Sequence, residues 1–334
     1  MVCGRFHRPY KREVMININT KNLTNKHNLL AFSAGVDSSA LFFLLLEKNI
    51  KFDIAIVDYG VREQSKKEVA HAKALAKKHT LICHNIKAPK FENHFEQKAR
   101  NFRYDFFESL VTLKGYENII TAHQLNDQLE WFLMRLTKGA GVSELLGLEM
   151  LSQRENYTLV RPLLQQSKEE LLHYLKKHSY PYFLDESNSD EKYERNKFRH
   201  QFSDALIAEY KEGIRRSFNY LHKDKEALEN SFQTIYAYKE LHIIKLQELH
   251  AKVKATDITL KKLGYLLSGA QREQIEKEED LVLGGKWAVS LQDNLLYIAP
   301  YFTTNMPKIF KEACRKAKIP AKVRAYYYQE NITP

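Results

Sequence analysis

Cysteine is scarce in this chain. Three of its 334 residues, Cys3, Cys83 and Cys314, stand far apart, and no Cys-x-x-Cys occurs. That spacing argues against a disulfide scaffold, a zinc site and a redox pair. Long apolar runs are missing as well, since nothing approaches the ~20 residues that a membrane-spanning helix needs. Residues 1–28 are polar and charged rather than built like a secretion signal, so the expected compartment is the cytoplasm. That segment reads as a peripheral extension, with Met15 as a second candidate start. Two common nucleotide loops are also absent. Neither Gly-x-x-x-x-Gly-Lys-Ser/Thr nor Gly-x-Gly-x-x-Gly is present, so neither a kinase-type NTPase nor a dinucleotide dehydrogenase is indicated.

What is present is a folded globular composition, 44% hydrophobic and 12% aromatic. The length allows one large core or two to three smaller ones. Lys and Arg number 52 against 41 acids, a formal charge of +11 with an isoelectric point near 9.2. That balance suits a polyanionic partner, although many proteins carry a basic surface for solubility alone.

The chain is organised around Leu29-Leu30-Ala31-Phe32-Ser33-Ala34-Gly35-Val36-Asp37-Ser38-Ser39, followed by the apolar stretch Ala40 to Leu46. This reads as a buried strand, a tight turn and a helix. Gly35 permits close backbone approach, while Ser33, Ser38 and Ser39 add hydroxyls to the unpaired N–H groups of the helix start. Such a turn favours phosphate. Asp37 would repel phosphate without a cation, which points to a magnesium ligand, with an ordinary helix cap as the alternative.

Downstream, strands expected at Phe52 to Asp58, Leu81 to Ile86 and Asn118 to Ala122 alternate with helices at Glu63 to Lys78, Phe91 to Leu113 and Gln124 to Leu136. A further strand is read at Val160 to Leu164 and a capping box at Ser167 to Glu170 starting a helix through Lys177. This alternation implies a parallel sheet with ligands at the carboxyl ends of its strands. His123, Asp127 and Glu130 then share one helix face beside the phosphate turn, where the two carboxylates suit a metal ion or a base. Acid placed to favour the helix dipole is the plain alternative. Arg100 and Arg103 share a face that suits phosphate or a solvated surface. Lys138 to Val142 reads as a basic loop with two glycines. Arg195, Lys197, Arg199 and His200 crowd the end of an irregular segment.

The Ser-x-Gly-x-Asp-Ser-Ser turn resembles the PP-loop of the N-type ATP pyrophosphatases, with Ala34 where a glycine is usual. Asp58 to Arg62, Arg100 with Arg103-Tyr104, Thr121 to Glu130, Arg161-Pro162-Leu163 and Asp185 to His200 follow in order, and this set is similar to bacterial tRNA(Ile)-lysidine synthetases. Tyr59 replaces the usual His, and Asn126 replaces the usual first acid before Asp127. The resemblance implies a Rossmann-like α/β catalytic domain using ATP and magnesium. The implied chemistry adenylates C2 of the wobble cytidine in the CAU anticodon of tRNA(Ile), and free L-lysine then displaces AMP. Codon reading changes from AUG to AUA, and identity from Met to Ile. The resemblance further implies ATP binding by Ser33, Ala34, Gly35, Val36, Asp37, Ser38, Ser39 and His123, and metal binding by Asp37, Asp127 and Glu130. Catalysis is assigned to Asp127, Arg100 and Arg103, and tRNA contacts to Arg195, Asn196, Arg199 and Lys316. A homodimer is plausible for the family. A tRNA thiolase would need a cysteine set that is missing, and an amidotransferase would need a glutaminase domain.

The expected organisation is an extension at 1–28, the catalytic domain at 29–202, a helical linker at 203–255 and a small α+β tRNA-binding domain at 256–334. In the last region, short helices are read at Leu260 to Ser268 and Gln271 to Lys277. Strands are read at Leu281 to Leu283, Trp287 to Leu291 and Leu295 to Ile298, turning at Gly284-Gly285 and Asp293-Asn294. Seven cations between Lys308 and Arg324 precede Tyr326-Tyr327-Tyr328, a pattern that suits RNA phosphates and stacking or an amphipathic terminal helix.

Overall fold

The computed structural model describes residues 16–60, 63–91, 93, 95–184 and 194–334. The chain divides after Leu221 into two compact units. In the first, β1 (Asn28–Ala31) leads into α1 (Val36–Glu47), β2 (Asp53–Asp58) into α2 (Glu63–Lys78), β3 (Cys83–Lys87) into α3 (Phe95–Lys114), and β4 (Asn118–Ile120) into α4 (Leu125–Leu136). A single-turn α5 (Val142–Leu145), β5 (Leu151–Gln153), β6 (Thr158–Val160), α6 (Lys168–Lys177), α7 (Glu194–Phe198) and a π-turn at 199–203 follow, before the long α8 (Asp204–Glu229). The sheet order is β3-β2-β1-β4-β6-β5, parallel except for the edge strand β5. Leu29, Leu30, Ile54, Ile119 and Ile120 have no exposed surface, as expected of parallel strands covered on both faces.

The packed core takes in residues of the segment read as an extension at 1–28. Ile16, Ile18 and Leu23 belong to the main core, and buried Asn28 donates from Nδ2 to the carbonyls of Leu23, Lys26 and Lys51. Asn118 donates to Asn28 Oδ1 at 2.8 Å and to Asn22 O at 2.9 Å, tying this segment to β4. The strand expected at Val160 to Leu164 lies earlier, at β6, because Pro162 has no N–H to offer a ladder. Its antiparallel neighbour β5 is short and largely exposed, and so gives almost no hydrophobic pattern. The capping box is as expected: Ser167 Oγ accepts from the Glu170 N–H and Glu170 Oε2 from the Ser167 N–H.

The expected helical linker at 203–255 is helical through Glu229. A hairpin then follows, β7 (Phe232–Tyr238) and β8 (Leu241–Leu246), within the second unit. Leu228, Phe232, Ile235 and Leu241 mimic a helical repeat, but Asn230-Ser231 stops the helix and Lys239 turns the hairpin at φ +49°. The helix expected at Leu260 to Ser268 is α9 (Lys252–Lys262), ended before Gly264 at φ +80°. After it come α10 (Gly269–Lys277), β9 (Asp280–Leu283), β10 (Trp287–Gln292), β11 (Leu295–Pro300), α11 (Lys308–Lys316) and α12 (Arg324–Gln329). The antiparallel order is β7-β8-β11-β10-β9. Asp293 and Asn294, both at positive φ, turn β10 into β11 as expected.

Tyr326 and Tyr327 are not a stacking platform. Both are buried with Cys314, Ile319 and Val323 against one face of this sheet, and Tyr326 OH donates to Glu240 Oε2. Of the triplet, Tyr328 alone is exposed.

Candidate active site

The turn after β1 is built by its own side chains. Ser38 Oγ accepts from the Ser33 N–H at 3.2 Å and donates to Gly35 O at 3.2 Å, while Ser33 Oγ lies 3.1 Å from it. The first helical N–H to turn back is that of Ser39, onto Gly35 O, so those of Val36, Asp37 and Ser38 face the turn without a helical partner. Gly35 has ordinary extended backbone, φ −74° and ψ 174°. The left-handed conformation falls instead on buried Ala34, at φ +61°, where a side chain costs ~1–2 kcal/mol. The Phe183 N–H holds this turn from the far side, donating to Ala34 O at 2.9 Å.

Asp37 carries the most unusual chemistry. Its Oδ1 is buried and has no hydrogen-bond partner, as does Ser39 Oγ. Burial, reinforced by the neighbouring Asp127 carboxylate, pushes the Asp37 carboxyl up to about 7, against the opposing pull of Lys168 and Arg199. An orphaned carboxylate oxygen among unpaired donors is costly unless something fills the space. A divalent cation fits this oxygen, since it restores the charge balance that burial removed.

The second turn joins β4 to α4. The Leu125 N–H donates to Gln166 O, Gln124 Oε1 caps the Asn126 N–H, and Asp127 Oδ2 accepts from the Gln124 N–H at 3.0 Å. Asn126 bridges outward, from Nδ2 to Asp204 Oδ1 and from the Lys168 N–H to its own Oδ1. Leu125 and Leu129 bury the opposite side of α4, and Trp131 donates to Glu144 O, while Leu136 at the end of the helix is exposed. His123 Nδ1 lies 2.9 Å from Thr121 Oγ1. Burial pushes this imidazole down to about 4, with Arg161, Arg195 and Arg100 adding to the effect against Asp127, so it is neutral at physiological pH.

Glu130 is fully buried and both its oxygens are occupied. Arg195 Nε reaches Oε2 at 2.9 Å, and Arg199 Nε reaches Oε1 at 2.6 Å. Arg195 Nη2 also donates to Asp127 Oδ1 at 2.7 Å. Burial alone would raise the Asp127 carboxyl, but Arg195, His123, the Gln124 N–H and Arg199 outweigh it and hold it below the usual range.

Comparison with known proteins adds the decisive observation. Residues 10–206 match the PP-loop domain family. The chain is 46% identical to the tRNA(Ile)-lysidine synthase of Campylobacter jejuni over 91% of its own length and 93% of the relative's. For the enzymes of that name from Wolinella succinogenes and Helicobacter pylori it is 41% identical, covering 93% and 91% of this chain and 96% and 89% of theirs. The chain belongs to the tRNA(Ile)-lysidine synthase family. It is a PP-loop enzyme that uses ATP.

The site brings together Ser33 to Ser39, His123, Asp127, Glu130, Arg195 and Arg199. Arg100 joins them at the edge: it is exposed, stacks over Tyr104 at 4.9 Å, and acts on His123 through its charge. Arg103 is half-buried against Tyr59, whose hydroxyl donates to Ala99 O. Asn196 is buried. Lys316, in the second unit, is exposed. Val61, Arg62 and the segment 185–193, all part of the quoted resemblance, lie outside the described residues. Two pairings make Glu130 and Arg195 different from their sequence expectations: Glu130 is saturated by guanidinium groups, and Arg195 and Arg199 turn inward to carboxylates. Arg161, quoted in a motif without a role, is buried and donates from Nη1 to Glu149 O and Ser152 Oγ, fixing the edge strand beside the site. Lys168, the first residue of α6, was foreshadowed only by the capping box. Among the described residues no group of three His, Cys, Asp or Glu is arranged around a common metal position; the metal-compatible oxygen is that of Asp37.

Proposed function

We propose that this enzyme ligates free L-lysine to C2 of the wobble cytidine of a CAU-anticodon tRNA(Ile) through an adenylated cytidine, splitting ATP into AMP and pyrophosphate. The observation that carries this reading is the unpaired Asp37 Oδ1 at a helix start whose first N–H groups have no helical partner. Those N–H groups and the hydroxyls of Ser38 and Ser39 would bind the β- and γ-phosphates, leaving the α-phosphorus open to attack by the cytidine C2 oxygen. Magnesium, held by Asp37, would neutralise charge that builds on the departing pyrophosphate. Glu130 would serve as the anchor for Arg195 and Arg199 rather than as a ligand.

C2 of cytidine is a poor electrophile, and attaching AMP to its oxygen supplies the leaving group. The lysine ε-amine then needs to lose a proton as it forms the C–N bond. Asp127, held ionised by Arg195, would accept it, while neutral His123 would hydrogen-bond to nucleotide without adding charge. Arg100 would meet phosphate charge at the rim. Such a reaction places the enzyme in the cytoplasm with its tRNA, consistent with the described residues holding no helix long and apolar enough to cross a membrane.

Incubation with labelled lysine, ATP and transcripts of tRNA(Ile) bearing CAU, with methionine tRNA as control, tests the reading. Selective ATP-dependent labelling with one pyrophosphate released per lysine is expected. Labelling without ATP, or pyrophosphate release that ignores lysine and tRNA, would overturn it.

A further inference from the structure

The segment that supplies Arg195 and Arg199 has a second side that the chemistry above does not use. Ser203 at the end of the π-turn is buried, and through α8 Ile207 and Phe218 are buried, with Ile214 and Leu221 packed beside them, against Leu125 and Leu129 of α4. This is the helix's core-facing stripe. One residue back, about 100° round the helix axis, runs another apolar stripe: Phe202, Leu206 and Tyr210, 45%, 36% and 55% exposed. Phe198 extends it by one turn, its ring 5.6 Å from that of Phe202. An amphipathic helix needs one such stripe, and a second, in water, is unfavourable unless a partner covers it.

The backbone departs from regularity along this stripe. The π-turn spans 199–203, and Tyr210 sits at a kink with φ −120° and ψ 21°. At the kink a hollow of about 420 Å³ opens beside Tyr210, Gly213 and Arg216. Gly213 leaves it open, with nothing within 4 Å of where a Cβ would stand. Lys197 and Arg216, at the two ends of the stripe, are exposed cations; of the acids between them, Asp204 lies beside His200 and Glu212 pairs with Arg215, and Glu209 is exposed.

We propose that Phe202, Leu206 and Tyr210 form the platform on which unpaired bases of the substrate's anticodon loop stack while the wobble cytidine occupies the neighbouring site. The inference rests on tRNA being the substrate. A cytidine that enters a site beside Asp127 leaves its stacked position in the loop, so adjacent bases lose a neighbour and gain from a flat apolar surface. The platform lies on the same short segment as the arginines that grip Asp127 and Glu130, and its flanking cations suit the loop phosphates. Aromatic rings recognise base faces with little sequence preference, which leaves discrimination to the pocket that holds the cytidine.

The test uses the full-length enzyme with Phe202→Ala, Tyr210→Ala and Phe202→Trp, and tRNA(Ile) transcripts carrying 2-aminopurine next to the wobble position. Wild-type lysine labelling in the same assay checks the underlying tRNA reading separately. The alanine variants are expected to raise the KM for tRNA about tenfold with the KM for ATP unchanged, and to lose 2-aminopurine quenching on binding. Phe202→Trp is expected to restore both. An unchanged KM for tRNA with intact quenching would overturn the proposal. So would a wild-type dimer in sedimentation that Phe202→Ala dissociates without altering tRNA kinetics, because the stripe would then cover a second copy of this chain.

Discussion

The two turns of the site are built on opposite principles. After β1, the turn holds a hydroxyl and a carboxylate oxygen that lack partners and N–H groups without a helical partner, together with a residue in an unfavourable backbone conformation. After β4, every described oxygen of Asp127 and Glu130 is accepting, from guanidinium groups or a backbone N–H. The first turn is incomplete until a ligand arrives, whereas the second is complete by itself. The orphaned groups therefore mark where binding occurs, and the satisfied ones mark what keeps the geometry fixed.

Substitution at the two buried acids should separate these principles most sharply. Glu130→Ala leaves the buried Arg199 guanidinium, and the half-exposed one of Arg195, with Asp127 alone as carboxylate partner, and a loss of ~3 kcal/mol in chemical denaturation is expected. Asp37→Ala should abolish pyrophosphate release with no such loss. Equal stability losses at both positions would erase the contrast.

A smaller effect follows from pH. The Asp37 carboxyl stands at about 7 in the folded chain against 3.8 unfolded, so folding disfavours its ionised form. The resulting penalty is absent below the unfolded value, grows as pH rises, and is complete above about 7. Without nucleotide, Asp37→Asn should therefore be more stable than wild type by an amount that increases from pH 4 to pH 8, reaching on the order of 4 kcal/mol. Added magnesium and ATP should reverse the ranking. A pH-independent difference in thermal melts would show that Asp37 Oδ1 is solvated.

At Ala34 the expected effect is smaller again. Ala34→Gly relieves the left-handed strain but adds unfolded-state entropy, for a net gain of about 1 kcal/mol or less. A loss of stability would mean that the Ala34 methyl contributes more through packing than its conformation costs. Smallest is the response of the second unit. Deleting residues from Lys308 onward would remove Cys314, Tyr326 and Tyr327 from a core and tell nothing about RNA. Single Lys308→Gln or Lys316→Gln changes should instead leave folding intact and lower the salt dependence of tRNA binding by about one phosphate contact each.

Much of the first unit was legible because buried parallel strands and capping boxes leave strong local signals. Ser167 with Glu170 and the apolar run before Ser33 are examples. The acidic face of α4 was equally visible from spacing. The pairing of that face with Arg195 and Arg199 was not, because it joins residues 65 to 69 positions apart and local patterns carry no such information. The hairpin of β7 and β8 was hidden for a related reason. Its exposed edge strand has no buried face to enforce alternation, so Leu228, Phe232 and Ile235 pass for helical turns. Tyr326 and Tyr327 were misjudged through composition: a cationic neighbourhood does not decide whether a tyrosine faces water or a sheet.

The amide pair beneath the sheet acts as a ruler. Asn28 and Asn118 are register partners of adjacent parallel strands and are hydrogen-bonded to each other. Sliding β1 and the segment before it past β4 by one residue would take Asn28 Oδ1 and Asn22 O away from the buried Asn118 amide, so this alignment is the one the pair enforces. Five residues beyond Asn28 stands Ser33, and five beyond Asn118 stands His123. The phosphate turn and the carboxylate turn thus emerge level from the top of the sheet, their relative height set by two side chains at its base that touch no substrate.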